Sequence, residues 1–272
     1  MRALLLAALL LLAACGPQIG DLERGEEGRV ARVFAGDTLL LEDGTRVFLA
    51  EIDAPSGEAP YAAQSQGELE ALVLHREVLL TYGGERRWVG RPRDGEAPRE
   101  AAIAHVFVKS EGGRWFWLQH EMVSRGAAYV RPRRDNHARS EDLLALEAQA
   151  RAQERGLWGE RAYRGLTVRT AASQALEANV NCLRGDAPYR VLEARIAEAN
   201  VFDTRASLTL EGASAETPFA LVVFGENFSA WDGPALNTLA GSRIRARGPL
   251  GVFRGEPQLC LEHASQLEIL AD

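Results

Sequence analysis

The chain has 272 residues, of which 46% are hydrophobic and 25% are charged, and its formal net charge is −7. This composition provides enough apolar surface for a folded core and excludes a chain that is disordered throughout. The acidic balance argues against a strongly basic nucleic-acid clamp, and the length suits one large or two modest domains.

Residues 1–15 read MRALLLAALLLLAAC and predict a secretory signal. As a helix, the apolar stretch after Arg2 would be about 18 Å long, too short for a ~30 Å hydrocarbon layer. Its end resembles the bacterial lipobox, which implies lipid attachment at Cys15; the alternative is an ordinary signal peptide with an incidental cysteine. We therefore expect a cell-envelope lipoprotein that faces the periplasm or the exterior. The outer membrane is favoured where the host has one, because the acidic retention residue of some lipoproteins does not follow Cys15.

A polar tether is expected over residues 16–27, and the pattern that follows is β-β-β-α-β-β-α-α. Alternating apolar residues predict the strands, and Asp43-Gly44 between two apolar runs favours a hairpin. Residues 83–100 are rich in Gly, Arg and Pro and predict a long loop. The expected strands are 28–34, 38–41, 46–52, 77–82 and 101–109, and the expected helices are 62–75, 117–127 and 139–155, the last ending at Gly156.

The second half predicts a small β-barrel. Residues 161–188 show little pattern and are interpreted as a connector. Short strands with one helical insert are typical of a small barrel, so we expect a second domain over residues 189–272. The expected strands are 189–200, 205–210, 218–224, 242–248, 251–254, 257–262 and 266–270.

Five short motifs of residues 28–160 resemble the staphylococcal nuclease (thermonuclease) family in order and spacing. The resemblance implies an OB-type five-stranded barrel with flanking helices, so the expected fold class is α+β, with a second OB-like barrel behind it. It also implies calcium-dependent phosphodiester hydrolysis. The motifs are Gly36-Asp37-Thr38, Ile52-Asp53-Ala54-Pro55, Ile103-Ala104-His105-Val106, residues 125–130 and Arg155-Gly156-Leu157-Trp158.

By this resemblance, Asp37 and Asp53 would supply calcium carboxylates and Ala54 a backbone carbonyl. Calcium takes six to eight oxygen ligands, so this set leaves room for a phosphate and water. The purely structural alternative is that Asp37 stabilises its own turn and Asp53 caps the turn before Pro55. The sequence leaves both open.

The chemistry of the family is depleted in this chain. Phe48 and Ala101 stand where the family places arginines, and Ser56 stands where it places a glutamate. Loss of one positioned transition-state donor typically costs ~10²–10³ in rate, and loss of a general base ~10²–10⁴. Arg46, Glu58 and Arg99 lie two residues from these positions and are candidate substitutes; the alternative is that all three are solvated surface charges.

Basic residues near the last helix of the first half are candidates for contacts with a phosphate backbone. The same residues also suit a solvated basic turn. They are Arg131, Arg133, Arg134 and Arg139.

The second half offers a different set of candidates, for base stacking. The alternative is that its phenylalanines form the barrel core. The residues are Phe202, Phe224 and Phe253, with Arg245, Arg247 and Arg254.

Beyond the signal, the chain has two cysteines, Cys182 and Cys260. An oxidising envelope favours a disulfide between them, and the alternative is two buried thiols. Three functions therefore remain: a binder of single-stranded DNA or RNA with a depleted catalytic set, a calcium nuclease with substitute residues, or a non-enzymatic envelope scaffold. A scaffold would need protein partners, which the sequence does not name.

Overall fold

A computed structural model describes residues 22–89, 100–164, 166–183, 187–214, 216–231 and 235–271. The signal sequence, Cys15 and Arg99 lie outside these ranges. Within them, no helix is long and apolar enough to cross a membrane. The helices are α1 Ala62–Val73, α2 Leu118–Ser124, α3 Ser140–Ala152 and α4 Val168–Ala178.

The first half forms a closed five-stranded barrel. Its strands close in the order β1-β2-β3-β7-β5, with β3 and β7 parallel and β5 returning to β1. Helix α1 packs against β1, and the core lies between the strands and the helices. The strands are β1 Glu23–Ala35, β2 Thr38–Leu41, β3 Arg46–Leu49, β4 Ile52–Asp53, β5 Glu77–Tyr82, β6 Arg87–Val89, β7 Glu100–Lys109, β8 Trp115–Trp117 and β9 Tyr129–Val130.

The second half closes in the same strand order. The path β10-β11-β12-β14-β13 returns to β10, with β12 and β14 parallel, and β15 extends the sheet beside β13. This connectivity is consistent with an OB-type barrel, and the α+β fold class is confirmed. The strands are β10 Tyr189–Val201, β11 Arg205–Leu210, β12 Ala220–Phe224, β13 Arg243–Phe253, β14 Glu256–Leu261 and β15 Leu267–Ile269.

Several expected boundaries are wrong. Strand β1 begins at Glu23, so the end of the expected tether belongs to the barrel and pairs with β5. The expected connector contains α4, whose buried alanines pack on the second barrel. Strand β13 runs unbroken through Gly248-Pro249, because Pro249 lies where β10 pairing ends and needs no further N–H donor on that side.

A buried seam joins the two barrels. Aromatic residues from both halves form a shared apolar cluster, and the rings of Tyr129 and Tyr189 stack with centroids 5.4 Å apart. Arg247 of β13 donates to Glu147 of α3 across 2.7 Å, and both side chains are almost fully buried. Arg134 donates to the carbonyl of Glu226, and His137 stacks on His263.

Candidate functional site

Tight turns bring Asp37 and Asp53 together. Asp37 occupies the turn between β1 and β2, and Asp53 ends the short strand β4. The Ala54 N–H donates to Asp37 Oδ2 across 3.0 Å. A side chain at the preceding residue is excluded, because a Cβ on Gly36 would lie 1.8 Å from Ser65 Oγ of α1. The Gly-Asp pair therefore lets the barrel turn directly under the helix.

The two carboxylates interact closely. Burial, the charge of Asp53 and a hydrogen bond with Asp53 raise the pKa of Asp37 to about 7. Hydrogen bonds from the Thr38 hydroxyl, 2.7 Å away, and from the Ala54 N–H lower the pKa of Asp37, but less than the other effects raise it. The site therefore holds less than two full negative charges near neutral pH, in the manner of paired carboxylates.

Arg131 is the arginine that reaches this site. It follows β9 and forms a close ion pair with Asp53, and the two side chains are 15% and 19% exposed. Its guanidinium also lies 5.1 Å from the ring centroid of Tyr189, in the second barrel. Burial lowers the pKa of Arg131, but the charge of Asp53 outweighs it and the net shift is upward. The sequence singled out Arg131 for phosphate contacts, not for a pair with Asp53.

A buried network behind the site was missed by the sequence. Glu51 has a left-handed backbone (φ 63°), and its carbonyl accepts from the Arg131 N–H across 2.8 Å. Its carboxylate accepts from the Arg139 N–H and the Ser140 hydroxyl at the start of α3, and lies 3.1 Å from His105 Nε2. Burial opposes ionisation, yet these donors outweigh it and lower the pKa of Glu51. This network fixes the loop that carries Asp53.

Two of the three positions expected to depart from the family pattern, Phe48 and Ala101, make apolar contacts. Phe48 packs edge-on against Trp88 with centroids 5.3 Å apart, and Ala101 pairs with Trp88 across β6 and β7. Arg46 lies over the Phe34 ring at 4.4 Å, so its charge is directed at that aromatic face. Ser56 and Glu58 are exposed, with no hydrogen bond to the carboxylate pair among the described residues.

The residues as placed do not fit a calcium ion. Asp53 is already paired with a guanidinium, and Asp37 accepts a hydroxyl and an N–H where the ion would need free oxygens. Within the described ranges, no group of three His, Cys, Asp or Glu side chains surrounds a common centre. A cation placed here would meet Arg131 at the same oxygens, which like-charge repulsion opposes.

The four arginines expected to contact phosphates do not form one free face. Arg131 and Arg139 are half-buried, and Arg139 lies 3.5 Å from Asp142. Arg134 reaches the second barrel, and Arg133 is exposed. The predicted set is therefore divided between the site, the seam and solvent.

In the second barrel, Phe202 is exposed, and Phe224 and Phe253 are half-buried. Arg245 and Arg247 form ion pairs with Glu193, Glu268 and Glu147, whereas Arg254 lies over the Phe253 ring. The structure joins Cys182 and Cys260 in a disulfide, with Cα atoms 6.0 Å apart.

Comparison with known proteins places the first barrel in a family. The profile of the staphylococcal nuclease homologues matches residues 46–160. An uncharacterized endonuclease of Haemophilus influenzae is 30% identical over 169 residues, 58% of this chain and 80% of the relative. An uncharacterized endonuclease of Escherichia coli O157:H7 is 28% identical over 136 residues (49% and 77%), and Protein ParB of Escherichia coli is 26% identical over 165 residues (57% and 82%). The chain belongs to the staphylococcal nuclease family, which confirms the resemblance.

Proposed function

We propose that this chain is an envelope lipoprotein that binds single-stranded nucleic acid on the first barrel and has lost most of the family's catalytic power. One observation carries the proposal: aromatic and arginine side chains form a continuous outward face beside the carboxylate pair. The family relationship suggests nucleic acid as the substrate class. The residues of this face favour binding of nucleic acid over its cleavage.

Strand register builds this face. Arg32, Leu40 and Arg46 lie side by side across β1, β2 and β3. Phe34 and Phe48 stand two residues further along their strands, so they point to the same side of the sheet. We call these five residues, together with Trp88, the aromatic face. Trp88 extends it at the edge and is 38% exposed.

Such a surface suits a single strand. Bases stack on exposed aromatic rings, and arginines meet the phosphates between them. Arg32 and Arg46 lie over Phe34 at 5.0 and 4.4 Å, which keeps both charges on the face. Thr38 pairs with Phe48 and donates to Asp37, so a strand on this face would run beside the carboxylates. Asp37 and Asp53 would repel the phosphates of the strand. This repulsion opposes entry of a phosphate into the carboxylate site, so the strand would be bound on the aromatic face and not cleaved.

The envelope setting rests on the signal pattern and on the disulfide. Disulfides persist in oxidising compartments and are rare in the cytosol of most organisms. The pair Cys182 and Cys260 closes a long loop within the second half of the chain. The N-terminal residues and this disulfide both favour a location outside the cytosol.

Binding would be measured with the full-length chain and labelled single-stranded DNA and RNA, using anisotropy at two salt concentrations. Trp88→Ala should weaken binding about tenfold, because one stacked base is worth roughly 1–3 kcal/mol. Phe202→Ala is the matched control, since it removes an exposed ring from the other barrel. Affinity should fall with salt. Equal binding by Trp88→Ala and the unchanged chain would refute the proposal.

A second candidate is a working calcium nuclease in which Arg131 is the substitute arginine. The guanidinium of Arg131 lies at the carboxylate pair, where a transition-state donor is needed, but it would have to release Asp53 for calcium to bind there. Cleavage assays with calcium and with chelator separate the candidates. Calcium-dependent cleavage that falls ~10²–10³-fold in Arg131→Gln would establish the nuclease, whereas retention of intact strands in both arms favours the binder.

A further inference from the structure

A cleft lies between the barrels, apart from the aromatic face. Its volume is about 960 Å³, within the range of small-molecule sites. Trp158 and Tyr163 from the end of the first half form one wall, and β10 forms another. The N-terminus of α4 opens into it.

The side chains that line the cleft include more cations than anions. Four arginines and two glutamates line it; Glu193 is bound by Arg245 at 2.6 Å, and Arg151 and Arg164 pair with Glu147 and Glu154 outside the cleft. Arg169, in the first turn of α4, is exposed and has no ion pair among the described residues. The arginines are Arg151, Arg164, Arg169 and Arg195.

Two further donors favour an anion. Helix α4 is capped by Thr167, which accepts from the Thr170 N–H across 3.1 Å, and the N–H groups of Val168 and Arg169 have no partner within the helix. Trp158 is 3% exposed, and its Nε1 has no hydrogen-bond partner in the described part of the chain. A buried donor without a partner is costly, so a ligand acceptor would relieve it.

The walls also suit a planar group. A smaller pocket shares Trp158, Tyr163 and Val191 with the cleft and continues to Tyr129 and Tyr189. These two tyrosines contact each other, and Tyr189 contacts Arg131. The cleft and this small pocket therefore share an apolar and aromatic wall, which ends against the buried Tyr129 and Tyr189.

We propose that this inter-barrel cleft binds a nucleoside phosphate, either free or as the terminal unit of a strand. Guanidinium groups and the N-terminus of α4 would hold the phosphate, and the apolar and aromatic wall would hold the base and sugar. The inference does not depend on the aromatic face, since the two surfaces share no residues.

Calorimetric titration of the full-length chain would use adenosine 5′-monophosphate, adenosine and inorganic phosphate as probes. The charge reversal Arg169→Glu should weaken binding of the nucleotide at least tenfold, because a charge-assisted contact is lost. Arg114→Glu, at an exposed turn of the first barrel, is the matched control and should change nothing. Both residues are exposed, and circular dichroism would verify that each variant folds.

Recognition of both parts of the ligand predicts that the nucleotide binds more tightly than adenosine or phosphate alone. Equal affinities for nucleotide and phosphate, or equal losses in Arg169→Glu and Arg114→Glu, would overturn the proposal. Competition by a 5′-phosphorylated oligonucleotide identifies a strand end as the source, and its failure identifies free nucleotide. Trp88→Ala should leave nucleotide affinity unchanged, so the cleft and the aromatic face succeed or fail separately.

Discussion

Two arginine–carboxylate pairs lie on either side of β9, and their surroundings differ. Glu147 and Arg247 are 0% and 1% exposed, and Glu147 also accepts from the Val130 N–H across 2.7 Å. Asp53 and Arg131 are partly exposed, and a second carboxylate, Asp37, lies beside them. The first pair is closed to solvent, and the second keeps an accessible edge.

The difference shows that one pair stabilises the contact between the barrels and the other remains available to a ligand or a proton. Each oxygen of Glu147 has a donor, since Arg247 meets Oε1 and the Val130 N–H meets Oε2, so this pair has little capacity for a ligand. At the other pair, Arg131 is bound to Asp53, and burial together with the charge of Asp53 raises the pKa of the neighbouring Asp37. A ligand or a proton can therefore change the second pair without disturbing the first.

Breaking the closed pair should have the largest effect. Arg247→Ala breaks the buried pair and leaves Glu147 only the more distant Arg151, at 3.4 Å; breaking a buried pair in this way typically costs about 3–5 kcal/mol of unfolding free energy. Urea unfolding followed by fluorescence would measure it. Arg243→Ala is the control, because Arg243 is exposed and pairs with Glu193 at 3.4 Å, a kind of pair worth about 0–1 kcal/mol. Similar losses in both variants would show that the seam does not depend on this pair.

Asp37 should make stability depend on pH. Its folded pKa of about 7 lies above the unfolded value near 3.9, so the protonated form is favoured in the fold. The contribution is present below about pH 4 and is lost as the pH rises towards and through 7. Asp37→Asn removes this loss and should stabilise the chain at pH 8 by a few kcal/mol, since one pKa unit corresponds to about 1.4 kcal/mol.

Urea unfolding from pH 5 to pH 8, with chelator present, would give the difference between Asp37→Asn and the unchanged chain. That difference should grow with pH and level off above 7. Asp43→Asn, at an exposed turn, is a control with the same chemical change. Parallel pH profiles for the unchanged chain and Asp37→Asn would contradict the coupling of the two carboxylates.

Arg131→Gln should make the carboxylates of Asp37 and Asp53 available to a cation. Without the guanidinium, Asp53 regains oxygens for a cation, and a like charge is removed from the site. We expect calcium affinity, measured by calorimetry, to rise about tenfold or more. Arg114→Gln changes the net charge equally and should leave the affinity as it was. Weaker calcium binding in Arg131→Gln would instead show that Arg131 helps to build the metal site.

The sequence predicted the parts of the fold that local pattern and family resemblance carry. The turn at Gly36-Asp37 and the end of β4 at Asp53 follow short apolar runs, so their proximity was within reach. Helix α4 was missed although its buried residues, Val168, Ala171, Ala172 and Ala175, have the i, i+3, i+4, i+7 spacing of an amphipathic helix, because residues 161–188 were interpreted as a connector. The start of β1 was missed because Glu23–Glu27 are polar and are held by pairing with β5.

The role of Arg131 was beyond local pattern. Its position depends on Tyr189, which belongs to the other barrel, and on the Glu51 carbonyl that holds its N–H. The burial of Glu147 was equally beyond local pattern. A charged residue in an amphipathic helix is predicted to face solvent, and its partner Arg247 belongs to the second barrel. Contacts between barrels are set by tertiary packing, and spacing within one segment does not encode them.

The smallest effect should come from Tyr189, which connects the two pairs. Tyr189→Leu removes the ring beneath Arg131 and the stack on Tyr129, and contacts of this kind are worth about 0.5–1.5 kcal/mol each. A double-mutant cycle of Tyr189→Leu with Arg131→Gln should give a coupling of roughly 0.5–1 kcal/mol in unfolding free energy. Tyr189→Phe keeps the ring and should show almost none. If the cycle with leucine also gives no coupling, the second barrel does not position Arg131, and the Asp53 pair is set by the first barrel alone.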